Sequence, residues 1–149
     1  MKKKIIVLAL NILILIILAF IINTLLPDYK DFYASLNKIE IPMWVYPIVW
    51  TLIYIMIGFS NFLVYDKTSK FAEQIYLVQL FFNLMWTPIF FGLRNLTLSL
   101  VWGIVLFILV FINGIKYYKI KKEAGYLFIP YFLWTGFAIF LTSYILWLN

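Results

Sequence analysis

The sequence has no cysteine and no histidine among its 149 residues, and it has few charged residues. Without thiols or imidazoles the chain cannot form disulfides, a His-based catalytic triad or the usual thiolate and imidazole sites for zinc and haem iron. Charged residues make up 12% of the chain, about half the fraction found in soluble domains. A soluble fold could not cover its surface with so few polar groups, so we expect an integral membrane protein in a lipid bilayer.

Charge is also absent from the interior of the long apolar runs, where a proton relay, a gating charge or an acid–base pair would need it. Five runs are visible, at residues 5–26, 43–65, 74–93, 97–118 and 125–147. Each is close to or above the roughly 20 residues with which a helix crosses the bilayer. The sequence therefore predicts an all-α polytopic membrane protein, with one domain over residues 1–149 built as a five-helix transmembrane bundle. We expect no metal site and no cofactor.

The net charge of +6 comes from basic residues between the runs, and in a membrane protein this pattern indicates topology rather than nucleic-acid binding. Nine Lys or Arg residues lie in the N-terminus, the second loop and the fourth loop, if Lys116 at the end of the fourth run is counted with that loop. Three lie in the first and third loops. The positive-inside rule then places the N-terminus in the cytoplasm, and the C-terminus and first loop outside. The first run is too long for a signal-peptide core, so we expect it to be retained.

The second run opens with two prolines, two tryptophans and two tyrosines within residues 42–54. On a helix, Tyr46, Trp50 and Tyr54 recur every four residues and share one face, with Gly58 one turn further along. A helix that faces only lipid has no need of such a stripe. We expect this face to line a pocket or to pack tightly on a neighbouring helix.

The third run has a face of mixed polar and aromatic side chains, formed by Gln79, Asn83, Trp86, Thr87 and Phe90. Amide groups within the bilayer must find hydrogen-bond partners, because an unpaired polar group is costly there. These partners can be groups of a ligand, or the amides can simply join helix to helix. Pro88 removes one backbone hydrogen bond and is expected to bend the helix.

The fifth run has a similar face, formed by Tyr131, Trp134, Thr135 and Ala138, with Thr142 below. If the faces of the second, third and fifth helices converge, they enclose a mostly apolar cavity with a few polar groups, which is typical of a small-molecule site. The first loop, residues 27–41, carries apolar side chains that can form a short amphipathic segment. This segment is either a lid over one end of the bundle or an interfacial linker.

Three motifs follow one another along the chain: WVYPIVWTLIY at 44–54, QLFFNLMWTPIFFG at 79–92 and PYFLWTGFA at 130–138. In this order they resemble those of the TspO/MBR family, which comprises tryptophan-rich sensory proteins, translocator proteins and the mitochondrial peripheral-type benzodiazepine receptor. The resemblance covers essentially the whole chain. It implies a five-helix bundle, often a homodimer, in a bacterial cell membrane for a chain of this kind, with a pocket closed by the first loop.

The resemblance also implies a ligand class, because the family binds porphyrins such as protoporphyrin IX and haem-related tetrapyrroles. It implies that Trp50 and Trp134 are the pocket tryptophans, that Asn83, Trp86 and Phe90 line the pocket, and that Ala138 is the small residue beside the ligand. The C-terminal sterol motif of the family is not carried over, because Ser143 and Trp147 stand where it has tyrosine and arginine. The proline-rich approach to the second helix is also replaced, by Ile39-Glu-Ile-Pro-Met-Trp44.

The leading hypothesis is therefore a membrane receptor or sensory protein that binds a planar apolar ligand in an aromatic pocket. One alternative is an enzyme that degrades porphyrin in light, as reported for some bacterial members, with Trp50 and Trp134 as the catalytic residues. A second is a transporter of tetrapyrroles or other lipophilic molecules, although helices without charge disfavour an ion-coupled carrier. A bundle without any ligand is the simplest alternative.

Overall fold

The computed structural model describes residues 2–26 and 28–149, with the backbone alone for residues 2–4; Pro27, part of the predicted first loop, lies outside the described residues. All regular structure in the described part is helical. The helices are α1 (Lys2–Thr24), α2 (Tyr29–Ser35), α3 (Val45–Val64), α4 (Lys70–Thr87), α5 (Leu96–Ile120), α6 (Lys122–Tyr126) and α7 (Ile129–Leu148). A π-helical turn over Pro88–Gly92 continues α4.

The predicted five-span membrane bundle is confirmed, since five helical segments of the described chain are long and apolar enough to cross a bilayer. Most bounds lie within a few residues of the predicted ones. The fifth run is the exception, because the short helix α6 precedes α7, which begins at Ile129 rather than at residue 125. Pro130 lies in the first turn of α7, where its missing N–H costs nothing because that donor has no partner in the helix.

The short connections that precede α4 and α5 each end in a side chain that caps the following helix. Ser69 caps α4, its hydroxyl accepting a hydrogen bond of 3.2 Å from the backbone N–H of Ala72. Asn95 caps α5 in the same way, accepting one of 2.9 Å from the N–H of Leu98. Both side chains satisfy donors that a helix leaves free in its first turn. The preceding Arg94 adopts a left-handed φ of 52°, so the chain reverses within two residues.

At Pro88 the helix widens into a π-helical turn, whereas the predicted bend stays a prediction. Its ring nitrogen has no hydrogen to donate to the preceding turn of α4. The helix continues through an i→i+5 pattern, in which the N–H of Leu93 donates to the carbonyl of Pro88 at 3.0 Å. The extra residue in this turn changes the direction of the side chains that follow. Phe90 is consequently almost fully buried, with 2% of its surface exposed.

Close helix–helix contacts hold the spans together. Phe107 of α5 stacks on Phe132 of α7 at a centroid distance of 4.3 Å, and Trp102 of α5 stacks on Phe82 of α4 at the same distance. Gly58 lets α3 approach α1, because a Cβ at this position would lie 2.6 Å from Cγ1 of Ile12. Apolar side chains cover most of the outer surface of the bundle, as expected for helices surrounded by lipid.

Candidate functional site

A cavity of about 870 Å³ lies at one end of the bundle. Its walls are the C-terminal halves of α1 and α7, the N-terminal half of α3, and the end of α4 with its π-helical turn. These halves meet because neighbouring spans run antiparallel. The segment of residues 28–44, here named the lid, contributes α2 and the chain that leads to α3. A second, small cavity of about 50 Å³ lies between α3, α4, α5 and α7.

The structure brings most of the predicted site residues to these two cavities. Those that line the large cavity are Tyr46, Trp50, Tyr54, Asn83, Trp86, Thr87, Phe90 and Ala138. Trp134 and Thr135 line only the small cavity, which shares Trp50 and Ala138 with the large one. Gln79 and Tyr131 line neither cavity.

Trp50 is at the centre of the aromatic wall. Its indole stacks on the ring of Tyr54, with centroids 5.9 Å apart and an interplanar angle of 27°. Trp134 meets it edge to face at 6.4 Å and 85°, and the Trp134 ring also contacts Tyr46 at 6.1 Å. The indole N–H of Trp134 is buried and has no hydrogen-bond partner among the described protein atoms. The two tryptophans therefore meet inside the bundle, with only Trp50 at the wall of the large cavity.

A chain of hydrogen bonds ties α3, α4 and α7 together behind this wall. The hydroxyl of Tyr54 donates to Oδ1 of Asn83 at 2.9 Å, and Nδ2 of Asn83 donates to the hydroxyl of Tyr131 at 2.9 Å. The Tyr131 hydroxyl in turn donates to Oε1 of Gln79 at 2.8 Å. Gln79 and Tyr131 are fully buried. These two side chains join helix to helix, as in the alternative interpretation of the third run, and are not placed to anchor a ligand.

Thr135, a predicted site residue, has a hydroxyl whose partners lie inside the bundle. Its hydroxyl hydrogen-bonds within its own helix, 3.0 Å from the carbonyl oxygens of Tyr131 and Phe132. A hydroxyl at this position in a membrane helix commonly satisfies itself in this way, because no water is present to compete. Thr142, which does line the large cavity, likewise donates to the carbonyl of Ala138 at 2.8 Å.

Another wall of the cavity is built by α4 and its π-helical turn. The indole N–H of Trp86 donates to the carbonyl of Ser99 on α5 at 3.1 Å, which fixes the ring. Phe90 stacks on this ring at 4.9 Å and 22°, and Phe91 packs edge-on against Phe90 at 4.8 Å. These three rings form an apolar part of the wall, beside the polar side chains of Asn83 and Thr87.

The lid covers the end of the cavity, which favours the first of the two interpretations of the first loop. The hydroxyls of Tyr33 on α2 and Tyr46 on α3 hydrogen-bond at 2.8 Å, and Phe32 packs edge-on against Phe90 at 6.1 Å. Burial raises the pKa of the Tyr33 hydroxyl, and its hydrogen bond to Tyr46 raises it further. Tyr33 is accordingly neutral at physiological pH and can donate a hydrogen bond.

Asn149, the last residue of the sequence, forms hydrogen bonds with the lid. The side-chain oxygen of Asn149 accepts a hydrogen bond of 3.0 Å from the backbone N–H of Asn37, and its Nδ2 donates to the Asn37 carbonyl at 2.9 Å. The lid and the C-terminus therefore lie at the same end of the bundle.

Sequence reasoning missed the wall contributed by α1 and the cations of the lid. Ile16, Ala19, Phe20 and Asn23 line the cavity, but α1 is apolar on every face and offers no periodic signal. The side-chain amides of Asn11 and Asn23 donate to carbonyls of α1 itself, at 2.9 and 2.8 Å, and Asn23 also lines the cavity.

Lys30 and Lys38 of the lid also line the cavity. Neither lysine stands out in the sequence, because the first loop also carries Asp28, Asp31 and Glu40. No cluster of three or more potential metal ligands occurs among the described residues.

Comparison with known proteins identifies the family of the chain. A model of the TspO/MBR family matches residues 5–148. The chain is 32% identical to the tryptophan-rich protein TspO of Chlorobaculum tepidum, with 100% of this chain and 99% of that protein covered. It is 33% identical to the tryptophan-rich sensory protein of Cereibacter sphaeroides, covering 75% and 72%, and 31% identical to the translocator protein of Homo sapiens, covering 77% and 72%. The chain therefore belongs to the TspO/MBR family of membrane proteins.

Proposed function

We propose that this protein is a membrane receptor or sensory protein that binds a planar, mostly apolar ligand of the porphyrin class, such as protoporphyrin IX. The ligand occupies the large cavity, with one face against Trp50 and Tyr54 of α3 and the other towards Trp86 and Phe90 of the α4 wall. Aromatic rings on both sides suit an extended π-system, because offset-stacked and edge-to-face contacts each add about 0.5–1.5 kcal/mol beyond the burial of area.

The observation that carries this proposal is the cavity itself. Its volume of about 870 Å³ falls within the roughly 300–1,000 Å³ typical of small-molecule sites. A bundle with a purely structural role would be expected to fill such a space with side chains, because protein interiors are close-packed. The polar groups at the cavity are few and neutral inside the bundle, which suits a ligand with an apolar body.

Replacement of Trp50 by alanine tests the site. Because Trp50 forms the centre of the wall, we expect Trp50→Ala to weaken protoporphyrin IX binding about tenfold or more, equivalent to at least about 1.4 kcal/mol. Binding is measured by quenching of intrinsic fluorescence in detergent. Trp147→Ala is the matched control, because Trp147 is 79% exposed at the surface and does not line the cavity. Equal affinities in the two variants would contradict the assignment.

A second candidate function is light-dependent oxidative degradation of bound porphyrin by dioxygen. The observation that favours it is the unbroken ring contact from the cavity wall into the bundle, in which Trp50 touches both Trp134 and Tyr131, the latter at 6.2 Å. Trp50 and Trp134 would be the residues oxidised. Illumination of the protein with protoporphyrin IX in air, beside a Trp50→Phe variant, tests this function. Equal bleaching in both would reduce the reaction to photochemistry of the ligand alone.

The surroundings of the receptor are part of the same proposal. The positive-inside rule favours a cytoplasmic N-terminus, and with that orientation the cavity and its lid would open on the outer side of a bacterial cell membrane. The homodimer implied by the family resemblance stays a prediction, which light scattering of the detergent-solubilised protein tests.

A further inference from the structure

Lys38 on the lid is an unusual lysine. Only 5% of its side chain is exposed, and it lines the large cavity. Its ammonium group lies 4.7 Å from the centroid of the Tyr33 ring, a cation–π contact. Lysines are almost never buried unless their charge is paired, and an isolated buried charge is costly. The chemistry of this position therefore depends on what the ammonium contacts.

The contacts that Lys38 makes within the protein are long. Its Nζ lies 3.3 Å from Oε1 of Glu40 and 3.4 Å from the carbonyl oxygen of Leu36, whereas charge-assisted hydrogen bonds are typically about 2.7–2.9 Å. Glu40 is 83% exposed, so water competes for its carboxylate and the pair contributes little. An ammonium has three donors, and the described protein atoms supply no short acceptor for any of them.

The charged residues around the cavity are arranged asymmetrically. Lys30 and Lys38 are the charged residues that line it within the described chain. The acidic residues of the lid, Asp28, Asp31 and Glu40, are exposed and do not line it. The mouth of the cavity is therefore positive on its inner side, although the lid as a whole carries three acidic and two basic residues.

Neutral donors accompany these cations. The paired hydroxyls of Tyr33 and Tyr46 line the same cavity. Deeper in the bundle, the lining residues are apolar or neutral. The combination of an apolar interior with cations and hydroxyls at one end fits an amphipathic ligand, which has an apolar body and an anionic or polar group at one end.

We propose that Lys38, assisted by Lys30, binds a carboxylate at the edge of the ligand, so that the cavity selects apolar molecules with an anionic end over their neutral counterparts. The inference rests on the proposed function, which supplies the apolar body. It adds the recognition of charge: the carboxylate replaces the long contact to Glu40 with a short one. The same chemistry could come from the propionate of a tetrapyrrole or from the head of a fatty acid.

The test compares protoporphyrin IX, which has carboxylates, with its dimethyl ester, which has the same ring and no charge. Both are titrated against the detergent-purified protein by quenching of intrinsic fluorescence. We expect the wild type to bind the acid about tenfold more tightly than the ester, the scale of one charge-assisted hydrogen bond. Lys38→Met should remove this preference by weakening the acid alone, and Lys38→Arg should retain it. Lys70→Met, a loss of charge at the far end of the bundle, is the control and should change neither affinity.

Glu40→Gln should change the affinity for the acid in the opposite direction to Lys38→Met. It removes the carboxylate that competes for Lys38, so the affinity for the acid should rise while that for the ester stays the same. A purely structural Lys38–Glu40 pair would instead make both variants weaken both ligands. Displacement of bound protoporphyrin IX by oleate, but not by methyl oleate, in a manner that requires Lys38 would identify a lipid as a second source of the carboxylate.

The outcomes separate this inference from the proposed function. Equal affinity of the wild type for acid and ester, or an equal loss of both in Lys38→Met, would overturn the role of Lys38 and leave the porphyrin site intact. The absence of saturable binding by either probe would instead overturn the proposed function.

Discussion

The hydroxyl of Tyr131 on α7 belongs to a hydrogen-bond network that joins three helices of the bundle. It accepts a hydrogen bond from Asn83 and donates one to Gln79, both on α4, while Asn83 is also bonded to Tyr54 on α3. The side chain is fully buried. In a bilayer no water can replace a lost partner, so each group in this chain is satisfied only by the next one. Asn83, at the cavity wall, is held in place by this chain.

Tyr131→Phe should destabilise the bundle by about 1–2 kcal/mol, because it leaves Nδ2 of Asn83 and Oε1 of Gln79 buried without a partner. The measurement is thermal unfolding in detergent, followed by circular dichroism. Tyr144→Phe, on the same helix α7, is the control, because the Tyr144 hydroxyl makes no hydrogen bond in the described chain, and it should have little effect. A Tyr131→Phe variant as stable as the wild type would show that the network contributes nothing.

For single residues, the sequence predicted which helix faces turn inwards better than which side chains line the cavity. Trp50 on α3, and Asn83 and Trp86 on α4, could be found because each lies at helical spacing from other polar or aromatic residues within an apolar run. Gln79 lies on the same face of α4 as Asn83, one turn away, yet it points to Tyr131 and not to the cavity. Periodicity gives the direction of a side chain around the helix but not the position of the cavity along it. That position depends on how far each neighbouring helix extends.

The connection between α5 and α7 is an element whose geometry depends on one glycine. Gly125, in α6, packs against Tyr118 near the end of α5 so closely that a Cβ would lie 2.6 Å from the Cα of Tyr118. Backbone cannot give way as a flexible side chain can. This approach allows the chain to place a short helix before α7, and the Ser60 hydroxyl of α3 donates to the carbonyl of the adjacent Ala124 at 2.8 Å.

Gly125→Ala should destabilise the protein by about 1–3 kcal/mol, because the new methyl group forces α5 and α6 apart. Gly103→Ala is the matched control in α5. There the added Cβ would meet its nearest neighbours at 3.5 Å, which is ordinary contact, and alanine favours the helix by up to about 1 kcal/mol over glycine. The melting temperature should fall for the first variant and hold or rise for the second. The same change in both would contradict this account of the turn.

At the scale of elements, length and apolarity were sufficient to predict the five spans, because the bilayer sets both. They were not sufficient to predict the break between α6 and α7. That break follows from the contact of Gly125 with Tyr118 and from Pro130 in the first turn of α7, and only the second is visible in the sequence. Likewise, Pro88 predicted a local distortion, but the π-helical turn that aims Phe90 inwards depends on packing against Trp86.

The whole molecule has two unlike ends. One carries the lid, the cavity and the C-terminus, which Asn149 joins to Asn37. The other carries the loops with most of the basic residues. The distribution of charge predicts an orientation in the membrane, and this stays a prediction. The sequence did not predict that α1 closes the cavity, because α1 is apolar on every face.

The absence of cysteine makes the topology directly measurable. Ala34→Cys in the lid and Glu123→Cys at the other end each introduce a single thiol at an exposed position. In intact bacterial cells, a membrane-impermeant maleimide should label the first and not the second, because the positive-inside rule places the basic loops in the cytoplasm. Labelling of the second alone would reverse the orientation of the bundle and put the cavity on the cytoplasmic side.

If the space between α1, α3, α4 and α7 is a binding site, a side chain that fills it should abolish binding. Ala138 lines both cavities, so Ala138→Phe should occupy the space without disturbing the packing of the bundle. The measurement is a protoporphyrin IX titration of the wild type and this variant, with thermal unfolding of both. We expect one saturable site per chain in the wild type and none in the variant, which should be equally stable. Binding of equal affinity in both, or no saturable binding in the wild type, would contradict it.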